Sequence, residues 1–181
     1  MRSALLIIDV QRGLFDTEPR PFEADAVIER INTLTERARY AGAPVVFVQH
    51  EASGTPLQFG SEKWQLEQHL VVEEGDSILR KTTPDSFLGT ELANLLVQWG
   101  IEQLLICGYA TEFCVDTTTR RAAALGFPVI LVADAHTTHD KEHALAAMIR
   151  THHNVTLSNI RSFGPTIKAI VSEQIVFGLA L

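Results

Sequence analysis

The chain carries 181 residues, 46% of them apolar and 20% charged, with two cysteines and a formal net charge of −7. This composition suits a globular fold with a substantial core. It argues against a general affinity for nucleic acid or anionic membrane, and two cysteines are too few for a disulfide scaffold. No apolar stretch approaches the length of a membrane span, and Met1-Arg2-Ser3 leads straight into a strand-like run. A cytoplasmic protein with reduced thiols, one domain over residues 1–181, is therefore expected.

Residues 4–8 form an unbroken apolar run, the pattern of a strand buried on both faces, and Asp9 ends it. A carboxylate at the C-terminal end of a central strand sits where open α/β sheets place their chemistry, although aspartate is also a common turn residue. Residues 12–22 contain Gly13, Pro19 and Pro21 and are expected to be a loop. Residues 24–41 repeat apolar positions at Val27, Ile31, Leu34 and Ala38, which predicts a helix closed by Gly42 and Pro44. A second strand is expected over 45–48, followed by Gln49, His50 and Glu51, which puts His50 near the active edge of the sheet. The irregular stretch 51–75 reads as a lid or pocket wall, with Trp64 either lining a pocket or covering the core.

Residues 77–79 predict a short strand leading to Arg80 and Lys81, a basic pair that would ordinarily be solvated. A helix capped by Thr90 is expected to run to Trp99, with Leu92, Leu95, Leu96 and Trp99 on one face. The run 104–107 predicts a buried strand stopped by Gly108, with Cys107 assigned to packing. Cys114 then falls at a strand-to-helix turn, ahead of the helical face Val115, Thr118, Ala122 and Leu125 and its cap at Gly126. Backbone N–H groups at a helix N-terminus favour a thiolate and can hold an oxyanion, although an inert packed cysteine is the competing reading.

Residues 128–133 predict another strand ending at Asp134, and 140–152 a helix with His152 and His153 at its terminus. His136, His139 and His143 lack a recognisable metal-ligand spacing and read as a solvated helix start. A last short strand over 155–157, a final helix from Gly164-Pro165 to about Ile175, and an apolar tail 175–181 docked on the core or on another subunit complete the expectation. Strands alternating with helices about six times imply a parallel sheet covered on both faces, with active groups at the strands' C-terminal ends. Asp9, Lys81 and Cys114 all fall there. Lys81 and the helix dipole would lower the thiol's pKa while Asp9 accepts its proton.

Four stretches in this order, ALLIIDVQRGLFD (4–16), LRKTTPDSFLGT (79–90), CGYATEFCVDTTTRRAAALGF (107–127) and HNVTLSN (153–159), make the chain resemble the isochorismatase-like cysteine hydrolases, which include nicotinamidases and N-carbamoylsarcosine amidohydrolases. The resemblance implies a three-layer, doubly wound, Rossmann-like α/β fold with a six-stranded parallel sheet. It implies a catalytic triad of Asp9, Lys81 and Cys114, a non-proline cis peptide at Tyr109-Ala110, and an oxyanion hole from the backbone N–H groups of Ala110 and Cys114. The Asp-x-His metal motif usual in nicotinamidases is broken here, where the chain reads Val48-Gln49-His50-Glu51, so neither a metal nor another cofactor is expected. Isochorismatases proper cleave a vinyl ether without a nucleophile and as a rule lack this cysteine.

The expectation is a cysteine-dependent hydrolase of a non-peptide, amide-type C–N bond in a small molecule, working through a thioester. Phe15, His50, Trp64, Tyr109 and Phe113 are candidate pocket residues, with core packing as the alternative for Phe15, Trp64 and Phe113. A homo-oligomer, dimer or tetramer, is expected from the resemblance. The competing functions are a vinyl-ether hydrolase using Asp9 as the acid, marked by activity that survives Cys114→Ala, and a non-catalytic small-molecule-binding protein, marked by an unreactive Cys114.

Overall fold

The computed structural model describes residues 1–178. Six parallel strands form one sheet: β1 (Ser3–Ile8), β2 (Val45–His50), β3 (Ser77–Lys81), β4 (Gln103–Tyr109), β5 (Val129–Thr137) and β6 (Ile167–Ile170), in the order β3-β2-β1-β4-β5-β6. The order reverses between β1 and β4, the switch point at which such sheets open a crevice beyond their carboxyl ends. Helices α1 (Arg12–Phe15), α2 (Ala24–Tyr40), α3 (Leu92–Gln98), α4 (Asp116–Ala124) and α5 (Ala146–Ser158) connect the strands.

The unbroken apolar runs are explained by the two cores. Leu5, Ile7, Phe47, Leu105 and Cys107 face Val27, Ile31, Leu34 and Ala38 of α2. The alternate residues Leu6, Ile8, Val46, Val48 and Ile106 face Leu92 and Leu96 of α3, Ala122 and Ala123 of α4, and Leu157 of α5. With period-two side chains and both faces covered, the middles of the central strands are apolar on both sides, and polar residues such as Ser3, Gln49 and Gln103 fall at their ends.

Gly108 does not stop β4, which continues to Tyr109. Its φ is +112°, and a Cβ there would lie 2.1 Å from the Ile8 carbonyl oxygen, so only glycine lets β4 run this close to β1. Gly108→Ala is expected to cost about 3 kcal/mol or more, through backbone strain and steric overlap, and to displace the two strand ends that carry the site. A denaturant midpoint equal to the wild-type value would contradict this.

The loop after β1 and the C-terminal third depart from the pattern read in the sequence. Residues 12–22 hold the one-turn α1, and β5 runs beyond Asp134 to Thr137 because Gly108 and Tyr109 pair with His136 and Thr137 after a bulge. The helix expected over 140–152 begins at Ala146 instead. Asp140 lies ahead of it and accepts from the Ala146 N–H at 2.8 Å, across a small bridged turn at Lys141 and Ala144. The expected strand 155–157 lies inside α5, where burial of Leu157 against the sheet outweighs the strand preference of Val155 and Thr156. His152 and His153 are consequently mid-helix. The expected final helix is replaced by β6 and a short 3-10 turn over Ser172–Gln174, because the open edge of β5 pairs with Ile167–Ile170. Of the apolar tail, Ile175 and Phe177 pack into the core beside α2, and residues 179–181 lie outside the described residues. No helix among the described residues is long and apolar enough to cross a membrane.

Candidate active site

Asp9 follows β1 in the left-handed region, at φ 53°, a conformation aspartate tolerates better than most residues. Lys81 ends β3, and His50, its register partner, ends β2. Cys114 sits in a single π-helical turn, Thr111–Val115, that runs into α4. Asp9 and Lys81, each 2% exposed, form the floor. The Lys81 ammonium meets three acceptors there: Asp9 Oδ2 at 2.7 Å, His50 Nδ1 at 3.2 Å and Cys114 Sγ at 3.3 Å. A buried ammonium has three N–H groups to satisfy, and these partners account for all of them. Lys81 is thus no solvated surface residue, whereas its neighbour Arg80 is, paired to Glu51.

Burial pushes the Asp9 carboxyl above its usual range, although Lys81 opposes the shift. Burial and the Lys81 charge hold His50 low, so its ring is neutral and Nδ1 accepts from Lys81. The Cys114 thiol is pushed up to about 12, by burial first and then by the Asp9 carboxylate. The sequence pattern pointed the other way, to a thiol depressed by Lys81 and the helix dipole. Lys81 does lower it, but Asp9 sits close enough to cancel that effect in a site with little water. The resting group is a thiol beside a carboxylate of raised proton affinity. Cys107, fully buried in β4, is pushed up by burial and has no role at the site.

Asp9, His50 and Cys114 each offer a possible metal-ligand atom, all within 4.8 Å of one another. The position between them is filled by Lys81 Nζ, which is bonded to all three. A divalent cation would have to displace a buried ammonium, so the donor set does not fit a metal.

A cavity of about 300 Å3 opens above the thiol. Asp9, His50, Ala110 and Cys114 line its base, and Leu14, Leu57, Pro84, Tyr109 and Phe113 its walls. The Tyr109–Ala110 peptide is cis. The Ala110 carbonyl takes the N–H groups of Phe113 and Val115, at 3.0 and 3.1 Å, while the Ala110 N–H donates to no acceptor among the described residues. Of the candidate pocket residues, His50, Tyr109 and Phe113 are brought to the cavity, Phe113 being 56% exposed. Phe15 and Trp64 are not. Phe15 is buried behind Tyr109, edge to face at 5.9 Å, because α1 turns it inward. Trp64 packs against Phe59, and its contribution to the site is its carbonyl, which accepts from Gln11 at 2.7 Å and Gln49 at 2.9 Å.

Gln11, Gln49 and His136 went unnoticed in the sequence as parts of this site. The Gln11 amide also exchanges hydrogen bonds with the His50 backbone, at 3.0 and 2.9 Å, so it ties the end of β2 and the 51–75 segment to the stretch after Asp9. A glutamine two residues after a strand-end aspartate, in an apolar context, is the available signal, since buried amides must be satisfied. The sequence pattern places His136 in a solvated helix start, whereas it is 0% exposed, on β5. Its Nε2–H donates to Asn154 Oδ1 and its Nδ1 accepts from Thr111 Oγ1, each at 2.9 Å, which anchors the first residue of the cysteine turn.

Burial lowers the His136 pKa from 6.5 to about 4. Between those values the unfolded chain binds a proton that the folded chain does not. This contribution to stability is therefore whole above 6.5 and is lost as the pH falls toward 4, amounting to about 3 kcal/mol. His136→Gln is expected to flatten the fall of the thermal midpoint across that window. Equal slopes in variant and wild type would contradict it.

The family model for the Isochorismatase domain matches residues 3–160. Streptothricin hydrolase of Streptomyces noursei is 41% identical over 140 residues, 76% of this chain and 50% of that protein. The chain spans about half the length of the two streptothricin hydrolases it matches, 50% and 55%. The ureidoacrylate amidohydrolase RutB of Klebsiella pneumoniae subsp. pneumoniae is 28% identical over 199 residues, covering 90% of this chain and 81% of that one. A crystal structure of an isochorismatase family protein superposes with a TM-score of 0.85 at 35% identity, over 93% of this chain and 98% of its own.

Proposed function

The chain belongs to the isochorismatase family, and on that premise we propose that it is a hydrolase opening an amide-type C–N bond in a small molecule, through a thioester on Cys114. The observation that carries this reading is the single buried ammonium of Lys81 bonded at once to Asp9 and Cys114 at the base of a cavity. A relative whose name is an amidohydrolase supports the same reaction class.

In the first half-reaction Cys114 Sγ attacks the carbonyl carbon while its proton passes to the Asp9 carboxylate. Asp9 Oδ1, buried and without a hydrogen-bond partner among the described residues, is the oxygen available for that proton. The backbone N–H groups of Ala110 and Cys114 hold the oxyanion, an effect of about 3 kcal/mol per donor. As the C–N bond breaks, Asp9 returns the proton to the departing nitrogen. In the second half-reaction Asp9 takes a proton from water as the water oxygen attacks the thioester. The acid forms, and the sulfur leaves with the proton back from Asp9. Lys81 keeps Asp9 ionised enough to act as a base despite its burial, and supports negative charge on sulfur in the transition state.

The test is release of ammonia from a panel of small primary amides by wild type and Cys114→Ala. Turnover by wild type alone is the expected result. Ammonia release that survives Cys114→Ala would contradict the thioester and point to direct attack by water, with Asp9 as its base.

A further inference from the structure

The cavity over Cys114 has a chemical character that limits what can bind there. At about 300 Å3 it lies at the small end of ligand sites. Its walls are Leu14, Leu57, Pro84, Tyr109 and Phe113. Besides Asp9, His50 and Cys114, which Lys81 joins, Tyr109 is the one lining residue with a polar side chain, and its hydroxyl is engaged with His139 Nδ1 at 2.8 Å, so the ring is what the cavity receives. No Lys or Arg lines the cavity among the described residues. The nearby cations are committed elsewhere. Lys81 is held by Asp9, His50 and Cys114, Arg80 grips Glu51 at 2.7 and 3.0 Å while lying over Phe59, and Lys141 pairs with Glu112 at 3.3 Å.

We propose that the substrate is an uncharged amide with a small apolar acyl group, an aliphatic or compact aromatic chain seated against Leu14, Leu57, Pro84 and Phe113. This assignment rests on the amidase reading above and narrows it to one substrate class. A carboxylate on the acyl side would lose its water on entering and meet no cation. An ammonium would fare no better, because the one carboxylate at the cavity, Asp9, already has Lys81 as its counter-ion. An apolar chain gives up nothing polar and covers the wall residues, among them the exposed ring of Phe113.

The experiment compares three amides of similar size by ammonia release: isovaleramide; malonamate, which carries a carboxylate in place of the isopropyl group; and β-alaninamide, which carries an ammonium. Isovaleramide is expected to exceed both charged amides in kcat/KM by at least about 100-fold. Leu57→Arg, a change on the partly exposed 51–75 segment, is expected to raise malonamate relative to isovaleramide by about tenfold or more. Equal or better turnover of malonamate or β-alaninamide by wild type, in a reaction lost in Cys114→Ala, would overturn the apolar assignment while leaving the amidase reading intact. If no amide in a wider neutral and charged panel is hydrolysed, and none leaves an acyl group on Cys114, the amidase reading fails and this assignment falls with it.

Discussion

Asp9→Asn is expected to lower turnover by on the order of 10^2- to 10^4-fold while making the Cys114 thiol easier to ionise. The two effects point in opposite directions, which makes the variant informative. Burial is the largest force holding the thiol up near 12, and the Asp9 carboxylate is the next. Replacing that carboxylate with a neutral amide removes the repulsion on a thiolate and leaves Lys81, at 3.3 Å, free to stabilise it. A more acidic thiol would ordinarily suggest a better nucleophile. Here the amide cannot take the proton from sulfur, protonate the departing nitrogen or activate water, so catalysis collapses although thiolate is more abundant. The pH dependence of iodoacetamide labelling, mapped to the peptide that carries Cys114, follows its thiolate separately from the fully buried Cys107 and from the tyrosines. A thiol midpoint that stays put or rises in Asp9→Asn, or an activity close to wild type, would contradict the proton-transfer role.

Cys114→Ala is expected to reduce amide hydrolysis to background, a loss on the order of 10^6-fold when a nucleophile is removed. The substitution is expected to leave the fold in place, since Lys81 keeps Asp9 and His50 as partners and the side chain lines the cavity from a helical turn rather than packing inside a strand. A thermal midpoint within a few degrees of wild type would separate this loss from unfolding. Residual activity of a tenth of wild type or more would mean that sulfur does not attack the substrate.

The central strands and α2 were legible because their physics is local. An apolar run of five or six residues rich in Ile and Val, closed by a polar residue, fits a strand covered on both faces, and a three-four spacing sustained over four turns fits one side of a helix. The end-of-strand placement of Asp9, Lys81 and Cys114 followed from the same pattern, since open parallel sheets gather their polar chemistry at one edge. What stayed hidden depended on partners distant in the chain. Val155 and Thr156 prefer a strand, but Leu157 is buried only when they are helical. Ile167–Ile170 is a strand because the edge of β5 was open to it. The bracing by Gln11, Gln49 and His136 needs contacts made between 15 and 53 residues apart in the chain. The thiol's ionisation shows the same limit. The spacing revealed a cation near Cys114, but not that Asp9 lies close enough to reverse its effect.

The most direct measurement is intact-protein mass spectrometry of wild type quenched in acid during turnover of isovaleramide, followed by peptide mapping. Covalent catalysis predicts a mass gain equal to the acyl group, confined to the peptide that carries Cys114, labile to hydroxylamine and missing in Cys114→Ala. Rapid ammonia release with no adduct at Cys114 under any quench time, or an adduct on another residue, would contradict it.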